Sequence, residues 1–243
     1  MVLVKMVADM EHFVKNAPTL PLRCYAGGFC CLAHGVLRWA DMQWSWEIHL
    51  TIDALIGVCW KMKKKRCQVP WAAIRAGFTD TDWAGNWVGE LEMADLPADD
   101  FVLRAVSRDG CRFYPRIGAF NDAMAMMRSL FILGGMEADS ALEFTLHSWR
   151  HLLPTAARQL RQSESDQVEI GHWTIGSAMP RRCDSAACVT ELIAKSAILG
   201  AIGKGWTLAD PGCVALPPPV VFPHAPPPFP PRKKAAAARW WHL

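Results

Sequence analysis

Apolar residues recur at helical spacing along some stretches of this 243-residue chain and cluster into strand-like runs along others. Phe29, Leu32, Val36, Leu37 and Trp39 fit one helical face within residues 27–46, although the neighbouring pair Gly27 and Gly28 weakens that pattern. Ile48, Leu50, Ile52, Leu55, Ile56, Val58 and Trp60 read as one strand, and an apolar run resumes over residues 69–74. Between them lies the basic cluster Lys61, Lys63, Lys64, Lys65 and Arg66, so the segment predicts a hairpin with a basic turn. Residues 78–100 mix Gly85, Asn86, Gly89 and Pro97 with Trp83, Trp87, Leu91 and Leu96, a pattern of short helices and loops. Phe120, Met124, Met127, Leu130 and Phe131 define a helix over 119–133 that stops at Gly134 and Gly135. Residues 140–163 and 184–203 read as two more helices, the first kinked by Pro154.

These elements make a mainly helical α+β domain with a small antiparallel sheet packed on helices. Residues 1–26, broken by Pro18 and Pro21, read as a lead-in segment, and 27–212 as the domain proper. Nine of the seventeen prolines fall between Pro217 and Pro231, ahead of Arg232, Lys233, Lys234 and four alanines. Residues 213–243 therefore predict a disordered, polyproline-rich tail, either a ligand for an aromatic groove or an extension without function.

Composition narrows the setting. With 51% hydrophobic and 20% charged residues the chain can build a core, and a net charge of +3 singles out no partner. No run of 18 apolar residues escapes charge or proline, since Lys195 interrupts the best candidate, so no membrane span is expected. Lys5, Asp9, Glu11 and Lys15 break any apolar secretory core, which predicts an intracellular protein. Nine cysteines without a C-x-x-C spacing read as reduced thiols. The basic cluster fits a solvated turn, a nuclear import signal or a DNA phosphate contact. Most of the twelve tryptophans read as core, with Trp149 and Trp173 set apart by position; His34, His49 and His151 read as ordinary residues.

The stretch richest in chemistry is residues 144–151, Phe-Thr-Leu-His-Ser-Trp-Arg-His. If Thr145 caps a helix there, His147 and Arg150 share a face near its N-terminus. An imidazole for proton transfer beside a guanidinium for bidentate charge neutralisation suits a phosphate. Downstream, Gly171-His172-Trp173 offers a second imidazole and an indole N–H. Upstream, Arg38 stands in the apolar run Gly35-Val36-Leu37-Arg38-Trp39, 109 residues before His147, and Lys63 follows in the basic turn.

Arginine, hairpin lysine, His-x-x-Arg and Gly-His-Trp in that order resemble the catalytic domain of the tyrosine recombinases, the phage-integrase family, over about residues 27–203. The segment 179–192 is most similar to integrase-like sequences of transposable elements in eukaryotic genomes. The resemblance implies an integrase-like fold and a DNA-binding protein of DNA recombination and integration, nuclear if eukaryotic, able to form homo- or hetero-oligomers on duplex DNA. It also implies chemistry without metal or cofactor. Arg38 and Arg150 would hold the scissile phosphate, His147 would assist proton transfer, and Lys63 would protonate the leaving 5′ oxygen. His172 or Trp173 would donate a further hydrogen bond. Lys61, Lys64, Lys65, Arg66, Arg181 and Arg182 would contact the DNA backbone.

In the family a tyrosine then attacks the phosphorus. Cys183 occupies that position, and the only tyrosines are Tyr25 and Tyr114, both upstream. The expectation is a cleavage-deficient relative. A Cys183 thiolate favoured by Arg181 and Arg182, or a tyrosine supplied by an intact partner chain, are the routes to activity that remain. Only 37 residues precede Arg38, whereas the family has a separate N-terminal helical domain there, so weakened DNA binding is expected. The rival expectation is a non-enzymatic remnant or interaction protein with no assembled site.

Overall fold

The glycine pair that weakens the helical pattern lies in a deeply buried helix. In the computed structural model, which describes residues 4–62, 65–95, 101–163, 165–166, 170 and 185–207, helix α2 (Leu20–His34) is buried at every residue from Cys24 to His34. A helix enclosed on all sides has no polar face to reveal it, and small residues admit its neighbours. A Cβ on Gly27 would stand 1.9 Å from the Trp87 ring, and one on Gly28 2.9 Å from Leu103. Thr19 starts the helix by accepting the Leu22 N–H, with Pro21 in the first turn where no donor is needed.

Helix α1 (Val4–Asn16) packs on α2 through Met6, Val7, Met10 and Val14. Residues 1–26 are therefore not a lead-in: α1 and the start of α2 belong to the core. Sequence patterning underrated α1 because Lys5, Asp9 and Lys15 punctuate it, yet its apolar residues keep helical spacing. Every described residue lies within one compact unit, residues 1–208, rather than in a domain beginning at 27. The proline-rich tail predicted for 213–243 lies outside the described residues.

After Gly35 the chain turns and enters the short helix α3 (Trp39–Gln43), so the helix expected over 27–46 is two helices. The strand expected over 48–60 is likewise two: β1 (Ser45–Leu50) and β2 (Ala54–Met62), reversed at residues 51–53. There Thr51 Oγ1 accepts the Ala54 N–H at 3.0 Å, a hydroxyl-closed turn that apolar patterning misses because Ile52 continues the run. Strand β3 (Lys65–Ile74) completes an antiparallel sheet of order β1-β2-β3. Lys61 pairs with Arg66 and Met62 with Lys65 in the β2-β3 register, which places Lys61, Lys65 and Arg66 of the basic cluster at that hairpin end.

Residues 78–95 hold one helix, α4 (Trp83–Met93), capped by the Asp82 carboxylate, which accepts the Gly85 N–H, rather than several short ones. Next comes an element the pattern did not suggest, the hairpin β4 (Arg104–Val106) and β5 (Phe113–Ile117). Strand β4 is three residues long, too short to show alternation. Helix α5 (Phe120–Leu133) ends at Gly134 as expected. The single kinked helix expected over 140–163 is instead α6 (Ala138–Leu142), a 3-10 helix (Leu146–His151) and α7 (Leu152–Gln159). Pro154 falls in the first turn of α7, where its missing N–H disturbs little.

Helix α8 (Ser185–Gly203) lies against β3. Lys195, fully buried, donates from Nζ to the Ala72 carbonyl at 3.0 Å and pairs with Glu191. The charge that interrupts the apolar run thus covers the backbone of the outer strand of the sheet. The architecture is α+β with small antiparallel sheets. No helix among the described residues is long and apolar enough to cross a membrane.

One buried carboxylate joins three elements. Glu11 on α1 accepts from His34 Nε2 on α2 (2.8 Å), from the backbone N–H of Phe78 (2.8 Å) and Thr79 (2.9 Å), and from Thr79 Oγ1 (2.7 Å). His34 Nδ1 has no partner, which leaves the proton on Nε2, facing Glu11. Burial pulls the Glu11 carboxyl upward, but the bonds from His34, Thr79 and Phe78 outweigh it and hold it below its ordinary 4.5. A depressed folded-state value means that this stabilisation is complete above the unfolded value and is lost as pH falls through the folded one. Glu11→Gln should cost about 3 kcal/mol in urea unfolding at pH 7, with the gap between variant and parent narrowing below about pH 4.5.

Candidate phosphate cleft

Two of the predicted site arginines each follow or precede a buried tryptophan. Trp39 and Trp149 both pack on one side chain, Phe29 of α2: the Phe29 and Trp149 rings stack at 5.7 Å, and Phe29 and Trp39 approach at 6.1 Å. Tyr25 stacks on Trp39 at 5.7 Å, and Phe131 on Trp149 at 5.7 Å. Trp149, set apart by position as a stacking platform, is instead a core residue with no exposure, its Nε1 donating to the Met127 thioether Sδ at 3.0 Å. Because Arg38 adjoins Trp39 and Arg150 adjoins Trp149, the aromatic stack carries both guanidinium groups to one place.

That place is a cleft of about 480 Å³ lined by Arg38, His147 and Arg150 together with Trp39, Gln43, Trp44, Gly118, Phe120 and their neighbours. Arg38 is exposed and caps α3, its backbone N–H donating to Asp41 at 3.4 Å. His147 and Arg150 lie on the 3-10 helix rather than on an α-helix, and with three residues per turn the two side chains eclipse. Thr145 does precede that helix, with its N–H donating to Ser148 Oγ at 3.3 Å. His147 is exposed, whereas Arg150 is only 9% exposed and donates from Nε to the Val36 carbonyl at 3.1 Å.

Val36 has a φ of 52°, unusual for a β-branched residue, at a cost of about 1–3 kcal/mol. The Arg150 bond holds that turn, and the turn delivers Arg38 to the rim. On the far wall Gly118 makes a close approach: an added Cβ would meet the Tyr25 hydroxyl at 2.4 Å. The Gly118 carbonyl accepts from Trp39 Nε1 (3.1 Å) and Gln43 Nε2 (2.7 Å). Sequence reasoning missed Gln43 and Gly118; a lone glutamine on an otherwise buried helix was the available signal.

His151, whose ring meets that of His147 edge-on at 4.6 Å, has its pKa lowered by burial and by the neighbouring His147 and Arg150 charges. Tyr25 is buried, its hydroxyl donating to the Arg104 carbonyl at 2.8 Å, and burial raises its pKa. Tyr114 lies on β5, not in a loop, and is 48% exposed. Neither tyrosine lines the cleft. Burial pushes the Cys24 thiol up to about 12 and raises Cys30 and Cys31 as well, so these three are inert. Among the described residues no cluster of His, Cys, Asp or Glu is arranged to hold a metal ion. Lys63, Lys64, His172, Trp173, Arg181, Arg182 and Cys183 lie outside the described residues.

The stack and the strained turn make separable demands. Phe29→Ala should lose about 3–5 kcal/mol of stability. Arg150→Ala should lose about 1.5–3 kcal/mol through the unsatisfied Val36 carbonyl. Arg38→Ala should stay within about 0.5 kcal/mol of the parent, since its side chain is exposed. Urea midpoints at constant slope measure all three. No protein-family model, curated protein or solved structure matches this chain, so the functional reading rests on its own residues.

Proposed function

We propose that the chain binds duplex DNA as a cleavage-deficient relative of the tyrosine recombinases, taking a backbone phosphate into the cleft between Arg38 and Arg150. The observation that carries this reading is the meeting of Arg38, His147 and Arg150 on one cleft from positions more than a hundred residues apart. Arg150, fixed through Nε, presents a rigid guanidinium, and Arg38 supplies a charge that reaches from the rim. His147 donates to a phosphate oxygen. In the family's chemistry the same groups stabilise charge growing on the non-bridging oxygens during attack. Here they act on the ground state, because the position that would attack holds Cys183.

The proposal extends by resemblance to Lys63 at the β2-β3 hairpin and to His172 and Trp173 as further phosphate donors. Lys61, Lys64, Lys65, Arg66, Arg181 and Arg182 serve as backbone contacts, and a nuclear setting suits such a partner. A cysteine holds its sulfur nearer the backbone than a tyrosine holds its oxygen, by most of a ring, and this supports cleavage deficiency at Cys183.

Binding of a fluorescent duplex across a salt series tests the reading. Log affinity should fall linearly with log salt, and Arg38→Ala should weaken binding and reduce the slope by about 0.9. An unchanged slope in Arg38→Ala removes the cleft as the DNA site. A nicked suicide duplex should trap no covalent adduct with the parent chain and should trap one with Cys183→Tyr. A parent adduct that disappears in Cys183→Ser would overturn the assignment of cleavage deficiency.

A further inference from the structure

The hairpin β4-β5 carries Arg104, Arg108, Arg112 and Arg116 against a single acid, Asp109, and belongs to neither the predicted site nor the predicted basic clusters. Its base is built into the wall of the cleft. Gln43 accepts the Leu103 N–H at 2.7 Å and donates to the Leu103 and Gly118 carbonyls, Trp39 also holds Gly118, and Tyr25 holds the Arg104 carbonyl. Trp39 and Gln43 are two of the four buried residues of α3, the helix that Arg38 caps. Hairpin and cleft therefore share one rigid support.

The tip is equally constrained. Gly110 adopts a φ of +72°, and its carbonyl accepts from Thr19 Oγ1 at 2.6 Å, which pins the turn to the start of α2. Asp109, the one acid, is engaged by the Ser107 hydroxyl and the Cys111 N–H. Arg116 is held by Asp122 in a bidentate pair. Arg108 and Arg112 are exposed, and Arg112 lies near enough to Asp109 to help lower that carboxyl, though the Ser107 and Cys111 bonds do more. The exposed Tyr114 lies between Arg112 and Arg116 along β5. An aromatic hydroxyl between guanidinium groups on a fixed arm suits a polyanion with regularly spaced charges.

We infer that the β4-β5 hairpin is a second DNA-backbone arm, in which Arg108 and Arg112 contact phosphates away from the one in the cleft. The inference rests on the cleft reading and extends it. A five-residue strand spans about 17 Å, so the tip reaches phosphates about five base pairs from the cleft at about 3.4 Å per step. Rigid support at both ends lets the two arginines bind with little ordering cost beyond their own side chains.

Salt-dependent binding of a 20-base-pair duplex separates the two readings. The double variant Arg108→Ala/Arg112→Ala should lower the magnitude of the log–log slope by about 1.8 while leaving the urea midpoint unchanged. Arg108→Lys/Arg112→Lys should restore most of the slope, showing that charge and not hairpin folding is measured. A parental slope in the alanine variant, alongside a reduced slope in Arg38→Ala, overturns the arm and leaves the cleft standing. A parent that does not bind duplex DNA even at low salt overturns both.

Discussion

The placement of Phe29 between two tryptophans is the constraint from which the rest of the site follows. Its ring lies parallel to that of Trp149, 8° between planes, and meets Trp39 on another side. Aromatic pairs of this kind add about 0.5–1.5 kcal/mol each beyond the area they bury. Their larger effect is positional. Trp39 opens α3 and Trp149 sits within the 3-10 helix, so docking both on α2 fixes two segments remote in sequence against one helix. The arginines beside them are carried along, and the cleft is the gap left between their backbones. Removal of Phe29 would disturb the cleft from below through Trp39, which both packs on Phe29 and lines the cleft.

Much of the candidate site was legible because its chemistry is local. His147 and Arg150 are three residues apart, and a helix of either type brings them together; that the helix is 3-10 changes their alignment rather than their company. The α5 helix and the β2-β3 hairpin were legible for a similar reason, with strong periodicity bounded by glycine or by charge. What escaped the sequence depends on distant partners. Helix α2 needs Gly27 because Trp87, sixty residues on, occupies the space of a side chain. Val36 adopts its left-handed conformation with its carbonyl on an arginine 114 residues away. The β4-β5 hairpin stands because Gln43 and Tyr25 hold its base, not because its own residues alternate. The tail and the segment 171–184 lie outside the described residues, and with them Gly-His-Trp and Cys183.

Burial takes one of the two tyrosines out of the cleft and position takes the other. Tyr25 lies close beneath Gly118, where an added Cβ would strike its hydroxyl, yet that hydroxyl is committed to the Arg104 carbonyl. Burial raises its pKa, so a nucleophilic phenolate is disfavoured at that position. Tyr114 is exposed but stands on β5 outside the cleft lining. Among the described residues the aromatic side chains thus divide by role: buried indoles such as Trp39, Trp87 and Trp149 build the support, one phenol braces the hairpin base and one stays on its surface.

Arg38 and Arg150 do not carry equal weight as signs of a phosphate. Arg150 is needed by the fold, since its Nε satisfies a carbonyl presented by a strained turn. A chain that had ceased to bind any anion would still lose stability on replacing it. Arg38 makes no comparable contribution: its backbone caps α3, and its side chain is exposed. An alanine there would start the helix nearly as well, with less side-chain entropy at stake. Arg38, exposed, and Arg150, held by the core, line one cleft, and under the proposed DNA reading an anion lies between them. On that reading the exposed arginine is the cleaner test of the site, because its replacement leaves the fold alone, and the buried one is the reason the site keeps its shape.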